Sequence, residues 1–188
     1  MGMLTSKGQT LTRRLAVTKL LTLGIAGASI SVSQANAHPA APSSRDDQNA
    51  INELLIAYAT ALDEGRIEDC AELFAQAEFT IETVATVQGA KAVMGLFSGI
   101  ILYEDGTPRT KHVVTNTDII IGKDTQTATA KSYLTVFQQA GGAPLQPIFS
   151  GAYDDQFQKT DGIWHFKKRT VSGPLFGDMS KHLRHPPN

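Results

Sequence analysis

Beyond residue 110 the chain is a succession of alternating, β-branched runs cut by turn words, and everything that reads as helix precedes it. Four strands are predicted, roughly Lys111 to Ile121, Thr127 to Gln138, Ile148 to Gln158 and Ile163 to Val171. Ala140-Gly141-Gly142-Ala143-Pro144 separates the second from the third, and Thr160-Asp161-Gly162 the third from the fourth. Asp-Gly between alternating runs is a strong hairpin signal, because a tight turn matched to strand twist needs positive φ at both central residues. The strands are therefore antiparallel neighbours.

Upstream, Ile51, Leu54, Leu55, Tyr58 and Leu62 fall at offsets 0, 3, 4, 7 and 11, one stripe of an amphipathic helix over Asp46 to Glu64, with Ser44 as a cap and Gly65 as a stop. A short second helix is predicted from Ile67 to Phe74, a strand or hairpin from Glu78 to Val87, and a third helix from Ala90 to Leu102. Helices first and a run of antiparallel strands afterwards define an α+β fold, a curved sheet with helices on one face.

The first 37 residues differ from this pattern. They carry Lys7, Arg13, Arg14 and Lys19 and no acid, then a diluted apolar run from Leu20 to Val32, then Ala35-Asn36-Ala37. That order is a signal peptide, and the apolar run is shorter than the roughly 20 residues of a membrane span. The expected organisation is a cleaved signal over 1–37, a linker over 38–44, a domain over 45–175 and a tail over 176–188. The protein is accordingly expected to be periplasmic or secreted and off the membrane once the signal is removed. Arg13-Arg14 suits twin-arginine export, and the general secretory route stands beside it.

Of 17 Lys and Arg, four lie in the signal, whereas all 18 Asp and Glu lie beyond it, so the remainder carries a formal charge of −5. An acidic domain without a basic stripe is a poor match to nucleic acid. Cys70, the single cysteine, has no partner for an internal disulfide and reads as a buried, inert thiol. There is no zinc-type Cys or His spacing, no phosphate loop and no nucleophile elbow, so cofactor-independent chemistry is expected.

Three stretches carry a family resemblance: YATALDEGRIEDCAELF from Tyr58, AEFTIETVATVQGAKAV from Ala77, and RTKHVVTN from Arg109 followed by YDDQFQKTDGIWHF from Tyr153. The chain resembles the SnoaL-like, or nuclear transport factor 2-like, superfamily, which includes polyketide cyclases, scytalone dehydratase, ketosteroid isomerase and hexachlorocyclohexane dehydrochlorinase. Its words are most similar to the scytalone dehydratase and dehydrochlorinase branch. The resemblance implies a sheet wrapped around helices to form a cone-shaped cavity for a small hydrophobic molecule. It implies that Asp63, in ALDEG, pairs with His112, in TKHVV, and that His112 is the base. Scytalone dehydratase has a second His on the following strand, where this chain has Val136, Phe137 and Gln138. Similarity to ketosteroid isomerase implies instead a Tyr donor at Tyr58 and an acid at Glu82.

The residues themselves leave these readings open. Asp63 would face the negative end of its helix dipole, so either it is a solvated loop acid or something nearby favours it. A His with an acid partner is an economical general base near neutral pH, although a lone strand His is commonly structural. Strict alternation along the strand puts His112, Val114, Asn116, Asp118 and Ile120 on one face and Val113, Thr115 and Ile119 on the other. Tyr58, Phe79, Glu82, Asn116 and Phe137 are candidate substrate-binding residues, each with a plain alternative in core or strand surface. Trp164 reads as a core anchor, and Asp154-Asp155 with Lys167-Lys168-Arg169 as cross-strand charge pairs. His182 and His185 read as a solvated tail, with a cover over the cavity mouth or a neighbouring subunit as the alternative.

The function expected is a lyase or isomerase of dehydratase, dehydrohalogenase or proton-transfer type, acting on a small cyclic or aromatic molecule. A non-catalytic ligand-binding or association module is the alternative. The apolar outer sheet face predicts a homo-oligomer, a dimer or trimer.

Overall fold

The computed structural model describes residues 44–186. The expected signal peptide lies outside the described residues, as does the expected linker except for Ser44. Three helices and six strands follow in the order α1 (Ser44–Asp63), α2 (Ile67–Glu72), β1 (Glu78–Ile81), β2 (Ala85–Gln88), α3 (Ala90–Phe97), β3 (Thr110–Ile121), β4 (Thr127–Gln138), β5 (Gln146–Thr160) and β6 (Ile163–Phe176). They form an α+β fold with one six-stranded sheet in the order β2-β1-β6-β5-β4-β3. All pairings are antiparallel except β1 with β6.

The β5–β6 turn is the two-residue hairpin the sequence predicts: Thr160 pairs with Ile163, and Asp161 and Gly162 have φ of 51° and 81°. In α1, Ile51, Leu55, Tyr58, Ala61 and Leu62 are buried, the predicted stripe with Ala61 added and Leu54 at its half-buried edge. This helix packs on β3 and β6. Trp164 anchors the core as expected, its Nε1 donating 2.9 Å to Asp47 of α1, which also accepts from Lys159. Cys70 is fully buried, and burial pushes its thiol up to about 12.

The sheet is bent by bulges, one of which corrects the sequence reading. Thr115 pairs with Tyr133 but Asp118 with Lys131, so two residues of β3 oppose one of β4, and Asn116 takes φ 54°. One extra residue reverses the facing of everything beyond it. His112 and Val114 point inward before the bulge, and Ile119 and Ile121 pack on the core after it, leaving Ile120 60% exposed. Ile119 thus moves off the outer face, and Asn116 is spent on the bulge.

Helix α3 stops at Phe97, short of the predicted Leu102, because the backbone beyond it is engaged elsewhere. Ile101 N–H donates to the His182 carbonyl at 2.8 Å, and Ile100 bridges to Leu183. The segment read as a tail is therefore part of the fold, with Met179 and His182 buried. Strand β6 likewise runs past Val171, as a bulge in β6 at Gly173 and Pro174, opposite Gly151, keeps the pairing going to Phe149 and Phe176.

Candidate active site

The helices and the concave side of the sheet enclose a cavity of about 540 Å³, within the usual range for small-molecule sites. Its wall is mainly apolar: Phe79, Phe97, Leu134, Val136 and Ile148 contribute to it. The polar side chains at the wall include Tyr58, Thr110, His112, Tyr153 and His182.

Asp63 is the last residue of α1, and the chain turns away at once through Gly65 at φ +73°. Glycine is required there twice over, since a Cβ would lie 2.0 Å from the Gly106 carbonyl oxygen. The turn aims the Asp63 carboxylate at the start of β3. Its Oδ1 accepts from Thr110 Oγ1 at 2.8 Å and lies 2.6 Å from His112 Nδ1, while Oδ2 accepts the His112 backbone N–H at 2.9 Å. These donors answer the helix-dipole cost. Burial alone would raise the Asp63 pKa, but the hydrogen bonds from His112 and Thr110 outweigh it and hold the group below the usual carboxylate range.

An ionised carboxylate only accepts, so the His112 nitrogen facing it must carry the proton. Nε2 then holds the lone pair of the neutral ring, and the ring lines the cavity. The side chains of His112 and Asp63 are only 8% and 11% exposed. Chemically, such an arrangement can serve as a general base backed by an orienting acid.

Tyr58, 4% exposed, lines the same cavity edge to face with His112, at 6.4 Å between ring centroids. Burial holds its hydroxyl protonated, with the neighbouring Tyr153 adding to the effect. Arg169 is sandwiched between these tyrosines, its guanidinium carbon 4.2 Å from the Tyr58 centroid and 3.9 Å from that of Tyr153. It is one of the predicted cross-strand pairs, Asp155 with Arg169, but wholly buried and bidentate at 2.8 and 2.7 Å. Phe79 is buried and lines the cavity too.

Three candidates do not reach the cavity. Asn116 is exposed at the bulge. Phe137 falls on the outer face, because even-numbered residues of β4 from Ala128 to Gln138 point inward. Glu82 is exposed in the β1–β2 turn, where it accepts the Gly173 N–H at 2.9 Å and ties that turn to β6.

Sequence reasoning missed Thr110 and Tyr153, and gave His182 a place at the cavity only as the alternative to a solvated tail. Thr110 stands two residues before His112 and so shares its face, a signal the alternation contained. Tyr153 sits inside one of the resemblance words without any local mark of its role. Among the described residues no group of three or more His, Cys, Asp or Glu is arranged to hold a metal ion.

A family model described as SnoaL-like domain matches residues 43–170. Among solved structures, the chain is similar to a nuclear transport factor 2-like protein with a cystatin-like fold from Novosphingobium aromaticivorans, at 25% identity and TM-score 0.59 over 71% of this chain and 84% of that one. A scytalone dehydratase-like protein from the same organism matches at 22% identity and TM-score 0.54, over 70% and 87% of the two chains. LinA matches at 20% identity and TM-score 0.57, over 75% and 95%. No curated protein matches significantly.

Proposed function

Because the chain belongs to the SnoaL-like domain family, we propose that it is a cofactor-independent lyase or isomerase for a small, largely apolar cyclic or aromatic molecule, with His112 as the base. The observation that carries this reading is the 2.6 Å contact between Asp63 and His112 at the wall of an apolar cavity.

In this mechanism His112 Nε2 takes a proton from a carbon activated by a neighbouring group. The C–H pair becomes a new C=C bond. In an elimination the C–O or C–halogen bond on the adjacent carbon breaks and its pair leaves with hydroxide or halide; in an isomerisation the substrate's existing π pair shifts and takes the proton back at a different carbon. Asp63 holds the ring in the tautomer that leaves Nε2 free and stabilises the imidazolium that forms. The apolar wall strengthens both effects by excluding water.

The shared first step is testable without the natural substrate. Incubation of 2-tetralone, a bicyclic ketone with acidic C–H bonds, in D2O should give protein-dependent deuterium incorporation. His112→Ala should slow it by about 10² to 10⁴, the usual contribution of a positioned base. Exchange that persists in His112→Ala removes the base from the proposal.

We propose further that the chain is exported by way of residues 1–37 and works as a homo-oligomer. A periplasmic protein beginning at His38 is expected, and an intact amino terminus on mature cytoplasmic protein would overturn export.

A further inference from the structure

We propose that His182, delivered by the segment after β6, is a second imidazole of the site and donates a hydrogen bond to an oxygen of the bound molecule. This rests on the cavity being a substrate site and adds a substrate class: apolar rings that carry a carbonyl oxygen.

The backbone around His182 is pinned on both sides. Lys181 O accepts from Tyr103 Oη at 2.7 Å and from Gln138 Nε2 at 3.1 Å. His182 N–H donates to Met179 O, His182 O accepts from Ile101 N–H, and Arg184 N–H donates to Gly99 O. So many bonds fix where the side chain goes, and it goes inward: His182 is 8% exposed and lines the same cavity as His112. Its Nδ1 is sealed within the protein without a hydrogen-bond partner, so the ring nitrogen left to face the chamber is Nε2. A segment tied down at every carbonyl from 181 to 182, yet carrying an unsatisfied imidazole into an apolar chamber, has the form of a site awaiting a polar ligand atom.

The groups acting on this ring are few. Burial and the neighbouring His112 disfavour its charged form, Asp63 opposes them, and the result is a pKa lowered to about 4. At neutral pH His182 is thus an uncharged ring with one N–H to give. Its role differs from that of His112, which Asp63 prepares to accept a proton. For a cyclic ketone the step balances as follows. His112 removes the proton on the carbon beside the carbonyl, the C–H pair forms the enolate C=C, and the carbonyl π pair moves onto oxygen. The His182 N–H meets the charge that develops there.

The test compares binding of 2-tetralone with tetralin, the same bicycle without the oxygen, by calorimetry. The wild-type protein should prefer the ketone by about tenfold, the scale of one net hydrogen bond. His182→Phe should abolish the preference, and His182→Asn, which keeps an N–H donor, should restore part of it. Should the Phe variant not fold, nitrogen-15 spectra of the wild-type histidines decide: ketone, but not tetralin, should move the His182 ring N–H signal. An equal preference in folded His182→Phe, an unmoved signal or no binding of either probe overturns the proposal. Loss of the preference in His182→Phe together with exchange independent of His112 would instead remove the base and leave the donor standing.

Discussion

Asp63 holds His112 at two points, its Oδ1 2.6 Å from the ring and its Oδ2 2.9 Å from the backbone nitrogen of the same residue. One carboxylate thereby sets both the position of the β3 backbone and the tautomer of the ring that backbone carries. Asp63→Asn separates the two tasks. The amide keeps the shape but offers the ring at most one neutral acceptor oxygen, so deuterium exchange into 2-tetralone should fall by about 10² or more. Circular dichroism should stay native. An exchange rate within a few fold of wild type would mean that His112 needs no acid behind it.

The same pairing makes stability depend on acid. Asp63 and Asp47 both have folded-state pKa values below the ordinary range of an aspartate: for each, burial pushes upward and hydrogen-bonding partners outweigh it, His112 and Thr110 at Asp63, Lys159 and Trp164 at Asp47. Between the lowered and the ordinary pKa the unfolded chain binds more protons than the folded one. This stabilisation is therefore complete above the unfolded pKa and drains away as pH falls through the folded value. Urea denaturation at pH 3, 5 and 7 should show stability dropping from 5 to 3, and Asp63→Asn should make the drop shallower. An unchanged slope in the variant would remove Asp63 from this linkage.

A second expectation on stability concerns Arg169 and Asp155, whose side chains are each 1% exposed. Replacing one partner of such a pair leaves an uncompensated charge in the core, a loss of about 3 to 5 kcal/mol. Asp155→Asn should lose that much in denaturant, and Asp155→Leu with Arg169→Met should lose much less. Because Arg169 stacks on Tyr58 and Tyr153, the single variant should also weaken ligand binding. A single variant as stable as wild type would contradict this reading of the pair.

The fold was legible because its signals are local. Alternation delimits β4 at the predicted Thr127 and Gln138, and Asp161-Gly162 names its own turn. His112 and Asp63 were found through words resembling a family, and their meeting depends on a helix end and a strand start 49 positions apart in the chain. What stayed hidden is non-local. The bulge at Asn116 inserts one residue and inverts the expected facing of the rest of β3, and β-branched sequence carries no mark of it. His182 lies in a stretch without period, and only the bonds from Ile101, Tyr103 and Gln138 show that it faces inward.

The outer face of the sheet supplies the last prediction. Val113 pairs with Thr135 and Thr115 with Tyr133 across β3 and β4, and Phe137 extends the same row. Val113 is 41% and Tyr133 60% exposed, a contiguous apolar strip on a strand pair whose other side is already committed to the core. Such strips on soluble proteins are commonly covered, and symmetric pairing of identical copies is the simplest cover. Size-exclusion chromatography with light scattering should give a dimer or trimer. Tyr133→Lys, which places a charge in the centre of the strip, should shift the population to monomer while the circular dichroism spectrum stays native. A wild-type monomer at micromolar concentration would mean that this face remains in water, and the strip would then need a different partner.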